Sequence, residues 1–189
     1  MNRKIVAIAS TFAIITAIGT IAPSAVAQTS NSTKLSWVAP KDASLRLTLT
    51  PKFTATGERI LNLELRLDGK VIERVQAVSG KPDVQNFRLG QNSRSGSREP
   101  LPQGIYRVGA VDRNGGLPFA MGDVFIPVTP LFATSRSGIG IHRDADRHIQ
   151  GGSGTIGCLG ILRAKDVDTV ARFVTLYRVK TLVVDYGLN

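Results

Sequence analysis

The chain has 189 residues, a net charge of +10 and a single cysteine. This length suits one domain with a real core, and one cysteine excludes a scaffold held by its own disulfide bonds. No basic motif interleaved with aromatic residues is present, so we expect no nucleic-acid partner.

The first residues have the features of a secretory signal. Arg3 and Lys4 precede an almost wholly apolar run over residues 5–22, and Ala25-Val26-Ala27 has the small-x-small form of a cleavage site. We therefore assign residues 1–27 to a signal peptide and expect an exported protein of the periplasm or cell wall. The apolar run is long, which leaves an uncleaved anchor open as the one membrane contact.

Export bears on the partner that the positive charge indicates. An exported basic protein meets cell-wall polymers and acidic membrane surfaces. A merely soluble basic surface explains the same charge equally well.

Alternating apolar and polar residues predict the first strands. Residues 28–56 form an N-terminal extension, in which residues 45–49 alternate as a half-buried strand does. The alternation returns over residues 60–67 and 70–78, with Asp68-Gly69 between them. Asp-Gly between two such runs predicts a hairpin, because both central residues of a tight turn there need positive φ.

The second half of the chain adds short strands and one helix. Apolar residues from Val167 to Tyr177 follow the three-and-four spacing of an amphipathic helix, with Asp166 and Asp168 in its first turn. Many strands followed by one helix and a closing strand indicate a mainly β domain. The other predicted strands lie at 105–111, 123–128, 138–142 and 180–186.

Residues 139–162 hold both histidines and the cysteine. A thiol near neutral pH is only a few per cent thiolate, and an imidazole is the usual group that takes its proton. Cys158 is therefore a candidate nucleophile, and His142, which precedes it by 16 residues (158 − 142), is the candidate base. We interpret His148 as a loop residue because its charged neighbours indicate solvent.

The order of these residues narrows the choice of enzyme class. Papain-like and NlpC-like cysteine hydrolases place the histidine after the cysteine, and no histidine follows Cys158. Sortases keep the observed order but need a far longer interval, which makes them a weak rival. The sequence points to no cofactor, and Asp144, Asp146 and His148 lack the second cluster that would complete a metal site.

The histidine and cysteine segments together resemble the signature of a known family. Ile141-His142 and Thr155-Ile156-Gly157-Cys158 are similar to the Ile-His-Gly-like strand end and the Ser/Thr-x-Gly-Cys motif of the L,D-transpeptidase catalytic domain (YkuD-like). The resemblance extends over residues 61–186 and includes Pro100-Leu-Pro-Gln-Gly-Ile-Tyr-Arg-Val108. On this basis we assign residues 57–189 to the catalytic domain.

The resemblance implies a β-sandwich-like fold with one C-terminal helix and peptidoglycan stem peptides as the partner. Cys158 would attack the carbonyl carbon of a tetrapeptide donor after losing its proton to His142. D-alanine would leave, and an amine of a neighbouring stem, or water, would resolve the thioester. We expect the protein to act as a monomer.

Four further residues are candidates for the same site. Backbone N–H groups near Gly157 and Cys158 are candidate oxyanion donors, since glycine lets the main chain approach a substrate closely. Ser153 and Thr155 are expected to bond the backbone or the substrate. Arg143 carries a guanidinium suited to a carboxylate, a role that Arg147 and Arg163 also fit.

Two positions depart from the family pattern. Many members carry arginine or asparagine two residues after the cysteine, where this chain has Gly160, and Arg143 replaces a small residue. These departures leave two alternatives open. One is a peptidoglycan L,D-carboxypeptidase, and the other is a non-catalytic, cationic cell-wall-binding protein that has kept the fold.

Overall fold

The computed structural model describes residues 42–87, 94–114, 118, 121–145 and 154–188, which all belong to one compact unit, Val38–Asn189. The predicted signal peptide, Arg147, His148 and Ser153 lie outside the described residues. Within the part of the chain that the structure describes, no helix has the length and hydrophobicity that a bilayer-spanning segment requires.

The described residues form eight strands, one α-helix and a short 3-10 helix at Pro82–Val84. The bounds are β1 Ala43–Phe53, β2 Arg59–Leu67, β3 Lys70–Ser79, β4 Gly104–Val108, β5 Phe125–Pro130, β6 Gly140–Arg143, β7 Leu159–Ile161, α1 Ala164–Tyr177 and β8 Thr181–Val184. The mainly β fold with one C-terminal helix is therefore confirmed.

The strands form one closed barrel, which corrects the expectation of a β-sandwich-like fold. Their order around the barrel is β1-β2-β3-β7-β6-β5-β4-β8, and β8 returns to pair in parallel with β1. Closure removes the free strand edges that a sandwich would leave. The decisive element is β7, which pairs with both β3 and β6 and so joins the two halves of the sheet.

The predicted hairpin between β2 and β3 is present. Asp68 and Gly69 have φ values of 46° and 75°, as a two-residue turn between strands requires. On β2, Leu61, Leu63 and Leu65 alternate with less buried residues and point into the core. The period-2 pattern of the sequence thus becomes the inner face of the barrel.

The helix α1 packs its apolar side against the strands that carry the candidate site. Val167, Val170 and Val174 are buried, and the helix contacts β6 and β7. Arg178 ends the helix in the left-handed conformation, with its N–H bonded to the Val174 carbonyl. The predicted amphipathic helix is confirmed, and its buried side belongs to the same hydrophobic core as the strands.

Candidate active site

Cys158 lies directly before β7. It is therefore at the end of the sheet where the parallel strand β6 also begins. The two strands are parallel, with Ile141 opposite Leu159 and His142 opposite Gly160. The Cys158 Sγ lies 3.8 Å from the Gly138 carbonyl oxygen in the loop that leads into β6. Parallel pairing therefore brings two segments that are distant in sequence to the same end of the sheet.

Cys158 and His142 line the same cavity, which has a volume of about 430 Å³. One part of its wall is apolar and includes Ile139 and Ile156, of which Ile156 is 62% exposed. Another part carries the cation Arg136. The candidate nucleophile and base thus face a common space with an apolar side and a cationic side.

The imidazole of His142 is held by its own strand and by β5. Its Nδ1 lies 2.6 Å from the Arg143 carbonyl oxygen. A carbonyl only accepts, so Nδ1 carries the proton of the neutral ring and Nε2 is the basic nitrogen. The Phe125 ring stacks on the imidazole at a centroid distance of 6.3 Å. His142 is therefore held in the tautomer that leaves Nε2 basic.

Burial sets the protonation of both groups. Desolvation raises the pKa of the Cys158 thiol, while a hydrogen bond from the Gly140 backbone and the charge of Arg136 lower it by less. Desolvation also lowers the pKa of His142, against a smaller opposing effect of the bond to Arg143. Both shifts favour a thiol and a neutral imidazole as the resting forms of the two groups.

Two hydroxyl groups fix the main chain at Cys158. The Cys158 carbonyl oxygen accepts hydrogen bonds from Thr155 Oγ1 at 2.6 Å and from Ser79 Oγ at 2.8 Å. Thr155 Oγ1 also accepts from the Gly157 N–H at 3.2 Å and from the Gly80 N–H at 3.1 Å. Thr155 thus bonds the backbone, and the N–H of Gly157, expected as an oxyanion donor, is engaged within the loop.

Gly157 packs directly against Arg136, a residue that was not among the predicted site residues. Its φ is +118°, and a Cβ there would lie 1.5 Å from Arg136 Nη2. Arg136 is buried and donates to Ser97 Oγ at 2.9 Å and to the Glu99 carbonyl oxygen at 3.2 Å. Only a residue without a side chain at position 157 admits the guanidinium beside the nucleophile.

The glycine at position 160 also has a steric explanation. A Cβ at this position would lie 2.9 Å from Thr155 Cγ2 and 3.0 Å from Asp144 Cβ. The long side chain that many family members carry here has no space in this chain. Asp144 itself uses its carboxylate to accept a bond from the Gly154 N–H at 3.3 Å.

The structure does not bring Arg143 together with Cys158. Side chains alternate along β6, so Arg143 and His142 point to opposite faces. Arg143 lines a second cavity with Gly122, Asp123 and Asp168, and contributes only its carbonyl oxygen to the first site. Arg163 is exposed and pairs with Asp166. Neither arginine supplies the cation of the Cys158 cavity.

Arg136, Phe125 and Ser79 are the site residues that sequence reasoning missed. Arg136 lies in the loop before β6, and Cys158 lies in the loop before β7. Their proximity follows from the parallel pairing of two short strands, one of which the apolar pattern did not reveal. The one local signal is that Ser135-Arg136-Ser137-Gly138 runs directly into the strand that carries His142.

Comparison with known proteins identifies the family of this chain. A search among curated proteins found no significant match. The YkuD family model, the L,D-transpeptidase catalytic domain, matches residues 56–184, which include β2 to β8, His142 and Cys158. Because this match covers well over half of the chain, the protein belongs to the YkuD family of L,D-transpeptidase catalytic domains.

Proposed function

We propose that this protein is an exported L,D-transpeptidase that cross-links peptidoglycan stem peptides through a thioester on Cys158, with His142 as the base. The observation that carries the proposal is the cavity shared by the buried Cys158 thiol, directly before β7, and the neutral imidazole of His142 on the adjacent strand β6. Export is supported by the signal-like residues 1–27.

The first half-reaction forms the acyl-enzyme. Nε2 of His142 takes the thiol proton as Sγ attacks the carbonyl carbon of the donor peptide bond. The S–C bond forms, the C–N bond breaks, and His142 returns the proton to the departing amine of D-alanine. Since Sγ attacks next to its own backbone, we assign the N–H of Cys158 to the developing oxyanion.

The second half-reaction reverses these steps with a new amine. The acceptor amine loses a proton to His142, its nitrogen bonds to the carbonyl carbon, and the C–S bond breaks. The proton then returns from His142 to the thiolate, which restores the resting pair. Water in place of the amine would yield a shortened stem instead of a cross-link.

Incubation of the full chain with disaccharide-tetrapeptide, followed by mass spectrometry, tests the proposal. We expect loss of D-alanine, a thioester mass on Cys158 and a cross-linked dimer. Cys158→Ala should abolish all three, and His142→Gln should lower the rate about 10²- to 10⁴-fold, the usual contribution of a general base.

Other products would change the conclusion. A tripeptide without dimer would identify a carboxypeptidase. Intact tetrapeptide with wall binding that survives Cys158→Ala would identify a non-catalytic wall-binding protein. A carbapenem gives an independent reading, because this strained acyl donor should add its mass to Cys158 in the wild type and leave Cys158→Ala unmodified.

A further inference from the structure

A buried arginine forms part of the cavity wall that holds Cys158. Arg136 is only 5% exposed, and Ser97 Oγ and the Glu99 carbonyl oxygen hold its guanidinium in place. Arginine stays charged in proteins and is rarely buried to this degree. Its charge interacts with Glu99, Tyr106 and Cys158. The cation is therefore a fixed part of the cavity wall, where an anionic ligand would meet it.

The guanidinium lies against the residue that precedes the nucleophile. A Cβ on Gly157 would come within 1.5 Å of Nη2 and 2.7 Å of Cζ of Arg136. Consecutive Cα atoms are about 3.8 Å apart, so the positive charge lies a few ångströms from the Cys158 backbone. The left-handed Gly157 and the buried Arg136 form a matched pair at this point.

The donor of the proposed reaction brings a negative charge to the same place. In a tetrapeptide stem, the carboxylate of the terminal residue is separated from the scissile carbonyl carbon by one nitrogen and one carbon. Its carbon therefore stays within about 4 Å of the atom that Sγ attacks. Arginine binds carboxylates through paired N–H donors in a fixed plane, which gives direction as well as charge.

We propose that Arg136 is the anion anchor of this cavity and binds the terminal carboxylate of the residue that the reaction expels. Arg136 then selects donors that end in a free carboxylate over donors that end in an amide. The identity of this carboxylate rests on the proposed function, whereas the presence of an anion site beside Cys158 does not.

Alkylation of the full chain measures the anion site without any peptidoglycan. Cys158 is the one thiol of the sequence, so iodoacetate and iodoacetamide report its reaction with an anionic and a neutral reagent. We expect Arg136→Gln to lower the iodoacetate-to-iodoacetamide rate ratio on the order of tenfold, as removal of a nearby charge does. Arg136→Lys should keep most of the ratio. Arg172→Gln, which removes an exposed charge from α1, should keep all of it.

An unchanged ratio in folded Arg136→Gln would overturn the anchor. A second measurement uses only wild-type protein, so it tests the proposal even if Arg136→Gln does not fold. N-acetyl-D-alanine should slow the reaction of Cys158 with iodoacetamide, and N-acetyl-D-alaninamide should not. Equal effects of the two compounds would also overturn the proposal.

A third measurement separates the anchor from the enzyme function. Wild-type protein should form the thioester faster from a tetrapeptide with a free carboxylate than from its C-terminal amide, and Arg136→Gln should lose this preference. Equal rates from both donors in wild type would reject the anchor and keep the transpeptidase. Carboxylate-selective protection without any thioester would support the anchor and reject the transpeptidase.

Discussion

Desolvation governs the two reacting side chains. It raises the pKa of the Cys158 thiol and lowers the pKa of the His142 imidazole. Both shifts favour the uncharged pair over a thiolate–imidazolium ion pair. In the proposed mechanism the thiolate is therefore generated only when substrate binds and the proton moves to Nε2 of His142.

The pH dependence of alkylation tests this state. In the folded protein without substrate, the rate with iodoacetamide should rise with an inflection above about 8.5, the pKa of an ordinary cysteine. In urea the inflection should return to that ordinary value. A rate that already reaches its plateau near neutral pH would contradict the resting thiol and indicate an ion pair.

Stability at low pH should depend on His142. Because the pKa of this histidine is lower in the folded state than in the unfolded state, the unfolded chain binds a proton first as the pH falls. Its contribution is present above the unfolded pKa of about 6.5 and is lost as the pH falls through the folded value. We expect Tm to fall between pH 7 and pH 5, and to fall less in His142→Gln. An equal fall in both proteins would contradict this assignment.

Gly157→Ala tests the steric match with Arg136. The substitution adds a Cβ at a φ of +118° and 1.5 Å from a buried guanidinium nitrogen. Backbone strain alone costs about 1–3 kcal/mol, and displacement of Arg136 adds to it. Gly69→Ala is the control, because its φ is +75° and no atom lies within 4 Å of the new Cβ. Urea unfolding should show the larger loss for Gly157→Ala, and equal losses would argue against a tight fit.

At the scale of elements, the loop that carries the nucleophile is held to β3. Thr155 Oγ1 and Ser79 Oγ both donate to the Cys158 carbonyl oxygen, and Thr155 also receives the Gly80 N–H. The loop is thus bonded to the end of β3 at the point where β7 begins to pair with it. Sγ is positioned by strand geometry as well as by local conformation.

Thr155→Val removes the central hydroxyl of this network and keeps the side-chain shape. The N–H groups of Gly80 and Gly157 would lose an acceptor in a buried place, at a cost of about 1–3 kcal/mol. Thr155→Ser keeps the hydroxyl and should lose much less. Urea unfolding measures the loss of stability, and the carbapenem adduct rate measures the effect on the reactivity of Cys158. Equal stability of the valine and serine variants would show that the hydroxyl network contributes little.

At the scale of the whole molecule, β1 closes the barrel. It pairs antiparallel with β2 and parallel with β8, and it lies within the residues predicted as an N-terminal extension. Leu47 on β1 is fully buried, opposite Leu63 and Val184. The side chain that points inward from this strand therefore packs where the two ends of the sheet meet.

Leu47→Ala tests how much the closure of the barrel by β1 contributes to stability. Removal of a buried leucine side chain should lower the free energy of unfolding by about 2–5 kcal/mol. Thr48→Ala, the next residue on the opposite face, should change it by less than about 1 kcal/mol. Thermal and urea unfolding measure both variants. A small loss for Leu47→Ala would mean that β1 adds little to the core.

Local chemistry in the sequence determined much of this protein. Period-2 alternation predicted β1 to β3, and Asp68-Gly69 predicted the turn between β2 and β3. The three-and-four spacing of apolar residues predicted α1. The Ile-His and Thr-x-Gly-Cys segments predicted the nucleophile and base, because these patterns depend on neighbouring residues alone. The YkuD match over residues 56–184 confirms the family that those segments resembled.

Tertiary structure decided what depends on distant contacts. The three-residue β7 is a strand only because β3 and β6 bond it on both sides, and that pairing closes the barrel. The same pairing places Arg136 beside Gly157, while side-chain alternation on β6 sends Arg143 to another cavity. Which strands pair, and which side chains enter a shared space, is set by the packing of the whole chain, and local periodicity does not encode it.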